Sequence, residues 1–134
     1  MSRVLWAGWL SLMLLPTTGA MAAAGSWVAS APAVRVAVPG RQYVSAPLGA
    51  SEPERLAGRR IVSVRWHYRV AQGQAVRAWL CQDSFCMRVP GRQGGNRMDV
   101  PLDAASPWQF RFELPPGERQ AVLVQGLGLI VNYH

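Results

Sequence analysis

The sequence predicts an all-β protein, a small antiparallel β-sandwich of immunoglobulin-like or related type. Apolar and polar residues alternate strictly over 61–70 and again over 108–114, as in strands with one buried and one solvated face. No segment after residue 25 keeps the period of an amphipathic helix. Turn-forming Gly, Pro, Asn and Asp recur at intervals typical of short strands joined by turns.

The strands can be placed in order along the chain. Alternation predicts strands at 34–38, 43–48, 61–70, 76–80, 87–89 and 108–114, a short one at 98–102 and a final one at 121–133. Gly126 and Gly128 interrupt the final strand and predict a bulge there. Ser51 precedes Glu54 at capping-box spacing, which predicts a helical turn over 51–56. The final strand is a candidate sheet edge, open to an extended partner segment.

The N-terminus has the features of a secretory signal peptide. Arg3 precedes an apolar stretch at 4–15, Pro16 ends that stretch, and small residues follow. We expect a signal peptide at 1–24, cleaved after Ala22 or Ala24, and a single domain at 25–134. An uncleaved anchor is the alternative, but the apolar stretch is short for a membrane span. A periplasmic location without stable membrane insertion is therefore expected.

Two cysteines, Cys81 and Cys86, lie in the predicted domain. In an oxidising compartment such a pair is most simply a disulfide. The spacing does not fit a thioredoxin-like redox motif, and two sulfurs without nearby histidines make a poor zinc site. If the two cysteines face each other across a hairpin, Leu80 lies opposite Met87, and Trp79 lies opposite Arg88 on the outer side.

The preceding segment predicts a second hairpin, with its loop centred on Gly73. This register places Tyr68 opposite Ala78 in the core and Arg69 opposite Arg77 outside, although directly opposed like charges are unfavourable. The two hairpins together predict one outer face of six residues: Arg65, His67, Arg69, Arg77, Trp79 and Arg88. That face is either a cationic partner-binding surface or an ordinary solvated face in which arginines stack over Trp79.

All 14 basic residues are arginines. Without Arg3, thirteen arginines stand against seven acidic residues. This excess favours an anionic partner, since guanidinium groups bind carboxylates and phosphates bidentately. A genomic preference for arginine codons is the favoured explanation for the absence of lysine, whereas the net positive charge does not depend on that choice. Nucleic acid is not expected as the partner of an exported protein.

Catalytic and cofactor-binding patterns are missing from the sequence. His67 is the only internal histidine, and Ser63 lies beyond hydrogen-bond reach of it on an extended strand. The chain has no metal-binding cluster, phosphate-binding loop or convincing carboxylate pair. We therefore expect no catalytic residues, no metal and no cofactor.

Four groups of residues carry a resemblance to a known family. They are 66–68 (WHY), 80–86 (LCQDSFC), 107–115 (PWQFRFELP) with Gly117 and Arg119, and 130–133 (IVNY). In this order and spacing the chain resembles the FlhE family of small periplasmic flagellar proteins, from Trp27 to His134. The connections at 71–74 and 91–103 depart from the family pattern.

The resemblance implies a non-enzymatic accessory role in flagellum assembly, with flagellar rod, hook or export-apparatus proteins as partners. It further implies action as a chaperone or plug, with effects on swarming motility and on proton leakage through the export gate. The alternative is a periplasmic cell-wall or carbohydrate-binding module that uses Trp79 and its arginines. Sugar sites usually need two or more aromatic platforms, and the other aromatics alternate as core residues.

Overall fold

The structure is a computed structural model that describes residues 24–134. The predicted signal peptide and its cleavage sites lie outside these residues, apart from Ala24. Within them the strands are β1 Gly25–Ala31, β2 Val34–Val36, β3 Tyr43–Val44, β4 Ile61–Arg69, β5 Arg77–Gln82, β6 Phe85–Val89, β7 Gln93–Arg97, β8 Gln109–Glu113 and β9 Val122–Tyr133. A short 3₁₀ helix occupies Pro53–Leu56. Among the described residues, no helix has the length and apolar character needed to cross a bilayer.

The strands form two antiparallel sheets. A five-stranded sheet has the order β1–β9–β4–β7, and β2 also pairs with β9. A four-stranded sheet has the order β3–β8–β5–β6. The predicted antiparallel β-sandwich is confirmed.

The core lies between the sheets and is built by strand alternation. From the five-stranded sheet, β4 contributes Trp66 and Tyr68 and β9 contributes Leu129, while β8 contributes Phe110 and Phe112 from the other sheet. The Tyr68 ring meets the Phe112 ring edge to face at 5.5 Å between centroids. Such aromatic pairs add stabilisation beyond their buried area. The alternation that predicted β4 and β8 is therefore the packing pattern of the core.

The bulge in β9 is confirmed. His67 pairs with Gly128 and Arg69 with Gln125, so β9 has one residue more than β4 between these pairs. Gly126 has φ of +60°, a left-handed conformation that favours glycine. Because the bulge shifts the alternation, the buried side chains are at even positions before it, Val122 and Val124, and at odd positions after it, Leu127, Leu129 and Val131.

Three expectations about strand placement are wrong. The final strand is not an edge, since β9 pairs with β1 and β2 on one side and with β4 on the other. The predicted hairpin around Gly73 does not form, because β4 and β5 belong to different sheets. The short strand expected at 98–102 is instead β7, five residues earlier along the chain at Gln93–Arg97. The structure also adds β1, whose Trp27 packs into the core.

The hairpin between β5 and β6 has the predicted register. Cys81 pairs with Cys86, Leu80 with Met87 and Trp79 with Arg88, and the two cysteines form a disulfide. Asp83 in the tight turn has φ of +50°, a conformation that Asp tolerates better than most residues. The helical turn expected at 51–56 is present as the 3₁₀ helix, but no side chain caps it.

Candidate functional site

The six residues of the predicted outer face lie on two opposite sides of the sandwich. Arg65, His67 and Arg69 are exposed on β4, on the outer face of the five-stranded sheet. The remaining three are on the outer face of the four-stranded sheet: Arg77 and Trp79 on β5, and Arg88 on β6. The prediction of a single outer face is therefore wrong, because the chain crosses from one sheet to the other between β4 and β5.

The β4 side chains line a groove that we call the cationic groove. It is open to solvent, has a volume of about 770 Å³ and is also lined by Arg92, Gln93 and Ile130. Arg92 directly precedes β7, and its carbonyl accepts a hydrogen bond from the Tyr68 N–H at 2.9 Å. Arg92 therefore borders the groove where β7 begins, beside Tyr68.

Glycines on the flanking strands leave room for the groove side chains to lie close to the sheet. A Cβ at Gly126 would lie 3.0 Å from Arg69 Nε, and one at Gly95 would lie 3.2 Å from Arg65 Cγ. The His67 imidazole lies directly over Gly128, its cross-strand partner. Since these glycines leave the face free of competing side chains, three basic residues lie along one shallow surface.

The charge of the groove is not balanced by acidic neighbours. Of the residues that line it, none is Asp or Glu. The ion pair found in the described part of the chain joins Arg55 to Glu52 at 3.0 Å, away from the groove. Burial raises the pKa of the Tyr68 phenol, and the nearby Arg92 guanidinium opposes that shift. The groove therefore favours anionic groups such as carboxylates and phosphates.

The second surface, the tryptophan patch, consists of Arg77, Trp79, Arg88 and Arg111. Arg88 and Arg111 are the cross-strand neighbours of Trp79 on either side. The Arg77 guanidinium carbon lies 5.7 Å from the centre of the Trp79 ring, in cation–π range. The half-buried indole is thus partly covered by arginine.

The tryptophan patch offers a single aromatic ring. The other aromatics considered for sugar binding are buried in the core: Trp66, Tyr68, Trp108, Phe110 and Phe112. Arg77 also lies opposite Glu113, so this face carries an acidic residue as well as its arginines. These observations give no second stacking platform beside Trp79.

The side chains near His67 do not form a nucleophile–base pair. Ser63 Oγ accepts a hydrogen bond from Asn132 Nδ2 at 3.0 Å. Between residues 24 and 134, no three His, Cys, Asp or Glu side chains come together as metal ligands.

Sequence reasoning missed Arg92, Gln93 and Ile130 as groove residues. Arg92 and Gln93 fall in a segment read as a long connection, and its composition gave no strand signal. Ile130 lies on the predicted final strand, but it is the pairing of β9 with β4 that places it opposite Arg65.

Comparison with known proteins decides the family. The sequence profile described as flagellar protein FlhE matches residues 33–134. The chain belongs to the FlhE family. Flagellar protein FlhE of Salmonella typhimurium is 32% identical over 129 residues, which cover 93% of this chain and 97% of the relative. Flagellar protein FlhE of Escherichia coli K12 is 30% identical over 128 residues, covering 92% and 96%.

The fold agrees with this family assignment. The structure described as the crystal structure of FlhE superposes with a TM-score of 0.72 at 30% identity. The match covers 84% of this chain and 99% of the other. The sequence resemblance is thus confirmed, and membership of the FlhE family supports an accessory role in the flagellar system.

Proposed function

We propose that this member of the FlhE family is a non-enzymatic periplasmic accessory factor that binds a flagellar rod, hook or export-apparatus protein through its cationic groove. The observation that carries the proposal is the groove itself, in which Arg65 and Arg69 are exposed on β4 and no lining residue is acidic. Family membership supplies the flagellar context. Bound there, the protein acts as a chaperone or a plug, and through this contact limits proton leakage and supports swarming.

Two further features support the location and the absence of catalysis. The N-terminal 24 residues have the pattern of a cleavable signal, and the paired Cys81 and Cys86 suit an oxidising compartment. Ser63 Oγ accepts a hydrogen bond from Asn132, and none of the residues that line the groove around His67 is Ser, Thr or Cys. Binding, in contrast, needs only the charges already held on the face.

In-cell photocrosslinking tests the proposal, since the two outer faces serve as each other's control. A photoreactive residue replaces Arg65 or Arg69 in the cationic groove, and Trp79 or Arg88 in the tryptophan patch. We expect groove positions to capture a flagellar rod, hook or export protein, identified by mass spectrometry, and patch positions to capture far less. Capture of no flagellar protein from the groove would contradict the proposal.

Charge reversal provides a functional measurement in the same cells. Arg65→Glu combined with Arg69→Glu should impair swarming, because the groove would then repel an acidic partner. The matched control reverses Arg77 and Arg88 on the opposite face and changes the net charge equally. Equal motility defects in both double variants would indicate a loss of net charge rather than of a specific surface.

A further inference from the structure

β7 is an edge strand with a free row of backbone hydrogen-bonding groups. It pairs with β4 on one side, and on the other side no strand from residues 24–134 pairs with it. The Arg92 carbonyl accepts from the Tyr68 N–H, and the Met98 N–H donates to the Val62 carbonyl, both at 2.9 Å. Since backbone direction alternates along a strand, the groups of Gln93, Gly95 and Arg97 point away from β4. These residues can pair with another strand.

The free edge of β7 is joined to the cationic groove at Gly95. Gly95 lies opposite Arg65, and the Arg65 side chain crosses directly over it, with Cγ 3.2 Å from the Cβ position. No side chain at Gly95 stands between Arg65 and the edge. A residue added opposite Gly95 would project from the same outer face and meet the Arg65 guanidinium.

The other edges lack this combination. β3 has two residues, which is too short to present a ladder. β6 runs into Pro90 and carries the disulfide. β1 is seven residues long, but its outward residues are Ser26, Val28 and Ser30, which carry no charge.

We propose that an extended segment of a partner protein adds to the β7 edge as an extra strand, with carboxylate side chains at alternate positions facing Arg65 and Arg97. The ladder of outward N–H and C=O groups fits a polypeptide backbone and not a lipid or sugar surface. Alternation places every second side chain of that strand on the cationic face. The inference rests on the proposed function, because it states the form in which the groove's partner binds.

Peptide binding to the purified disulfide-bonded protein tests this, with a substitution that removes one outward donor. Gly95→Pro deletes the outward N–H without breaking a hydrogen bond to β4, as edge strands permit. Gly95→Ala is the matched control, since it adds the same Cβ and keeps the N–H. The probe is a fluorescent peptide of about six residues alternating Glu and Thr, and a Gln–Thr peptide is its neutral counterpart.

We expect Gly95→Pro to bind the Glu–Thr peptide at least about fivefold more weakly than Gly95→Ala, with melting temperatures confirming that both are folded. Arg65→Gln should remove the preference for the Glu–Thr over the Gln–Thr peptide. Equal affinities for the Pro and Ala variants would overturn strand addition, even if flagellar proteins crosslink to the groove. If only the Pro variant loses the peptide, strand addition is supported. If no flagellar protein is then captured in cells, the proposed partner is wrong but strand addition is not.

Discussion

The neighbouring glycines of β7 should respond very differently to alanine, because they face opposite sides of the sheet. A Cβ at Gly94 would lie 2.7 Å from Cζ2 of Trp66, whose side chain is 5% exposed. The Trp66 indole N–H also donates to the Gly91 carbonyl at 3.1 Å, so the ring cannot move without losing that bond. At Gly95 the close atoms are Cγ of the exposed Arg65 at 3.2 Å, which can shift, and the Val64 carbonyl oxygen at 3.3 Å, a much milder contact than the one at Gly94.

The expected cost of Gly94→Ala follows from these contacts. Overpacking a core costs about 1–3 kcal/mol, and weakening the indole hydrogen bond in the variant costs up to about 1 kcal/mol. Replacing Gly with Ala in a strand returns about 0.5–1 kcal/mol. The net loss is about 2 kcal/mol, or about 8 °C in melting temperature for a domain of this size. Gly95→Ala should stay within about 0.5 kcal/mol of the parent protein.

Urea unfolding of the disulfide-bonded protein, followed by tryptophan fluorescence, measures both free energies of unfolding. Equal stability of Gly94→Ala and Gly95→Ala, or a lower stability of Gly95→Ala, would mean that Trp66 does not pack against β7 in this way.

Three further outcomes are expected. Gly128→Ala should be destabilising beside His67 and tolerated in a His67→Ala background, with a coupling of about 1 kcal/mol in a double-mutant cycle of urea unfolding; zero coupling would mean that the ring does not lie over this glycine. Replacing Cys81 and Cys86 by Ser should lower the free energy of unfolding by about 2 kcal/mol while circular dichroism stays native, since the closed loop is short; loss of the β spectrum would contradict this. Because burial raises the pKa of Tyr68 in the folded state, the unfolded chain releases that proton first, so stability should fall as pH rises through about 10. Urea midpoints at about pH 9 and pH 11 check this, and a Tyr68→Phe variant with the same decrease would exclude Tyr68 as its cause.

The sequence predicts most reliably where one face of a strand is fully buried. β4 and β8 alternate because Trp66, Tyr68, Phe110 and Phe112 face a single core. The disulfide then gave the β5–β6 register, since only one pairing joins Cys81 to its partner and keeps the neighbouring pairs apolar. These are local consequences of side-chain period and covalent geometry.

β7 could not be predicted because it is stabilised by tertiary contacts rather than by its own sequence. Its sequence, QGGNR, has little intrinsic strand preference. It is a strand because its backbone pairs with β4 and because Gly94 leaves room for the Trp66 indole. The missed groove residues Arg92 and Gln93 follow from the same strand. Side-chain alternation cannot identify a strand that contains two glycines and no large apolar residue.

The wrong hairpin between β4 and β5 carried its own warning. Its register required Arg69 to face Arg77, the one pair in the predicted face that was electrostatically unfavourable. In the structure Arg69 lies opposite Gln125 and Arg77 lies opposite Glu113, so each arginine has a polar or acidic partner on its own sheet. The short connection after β4 suggested a local turn, but apolar residues on both strands can face one core from opposite sheets equally well. The like-charge conflict therefore distinguished two arrangements that the hydrophobic pattern could not. Resolving it divides one cationic face into two, which makes the groove and the tryptophan patch separable by mutation.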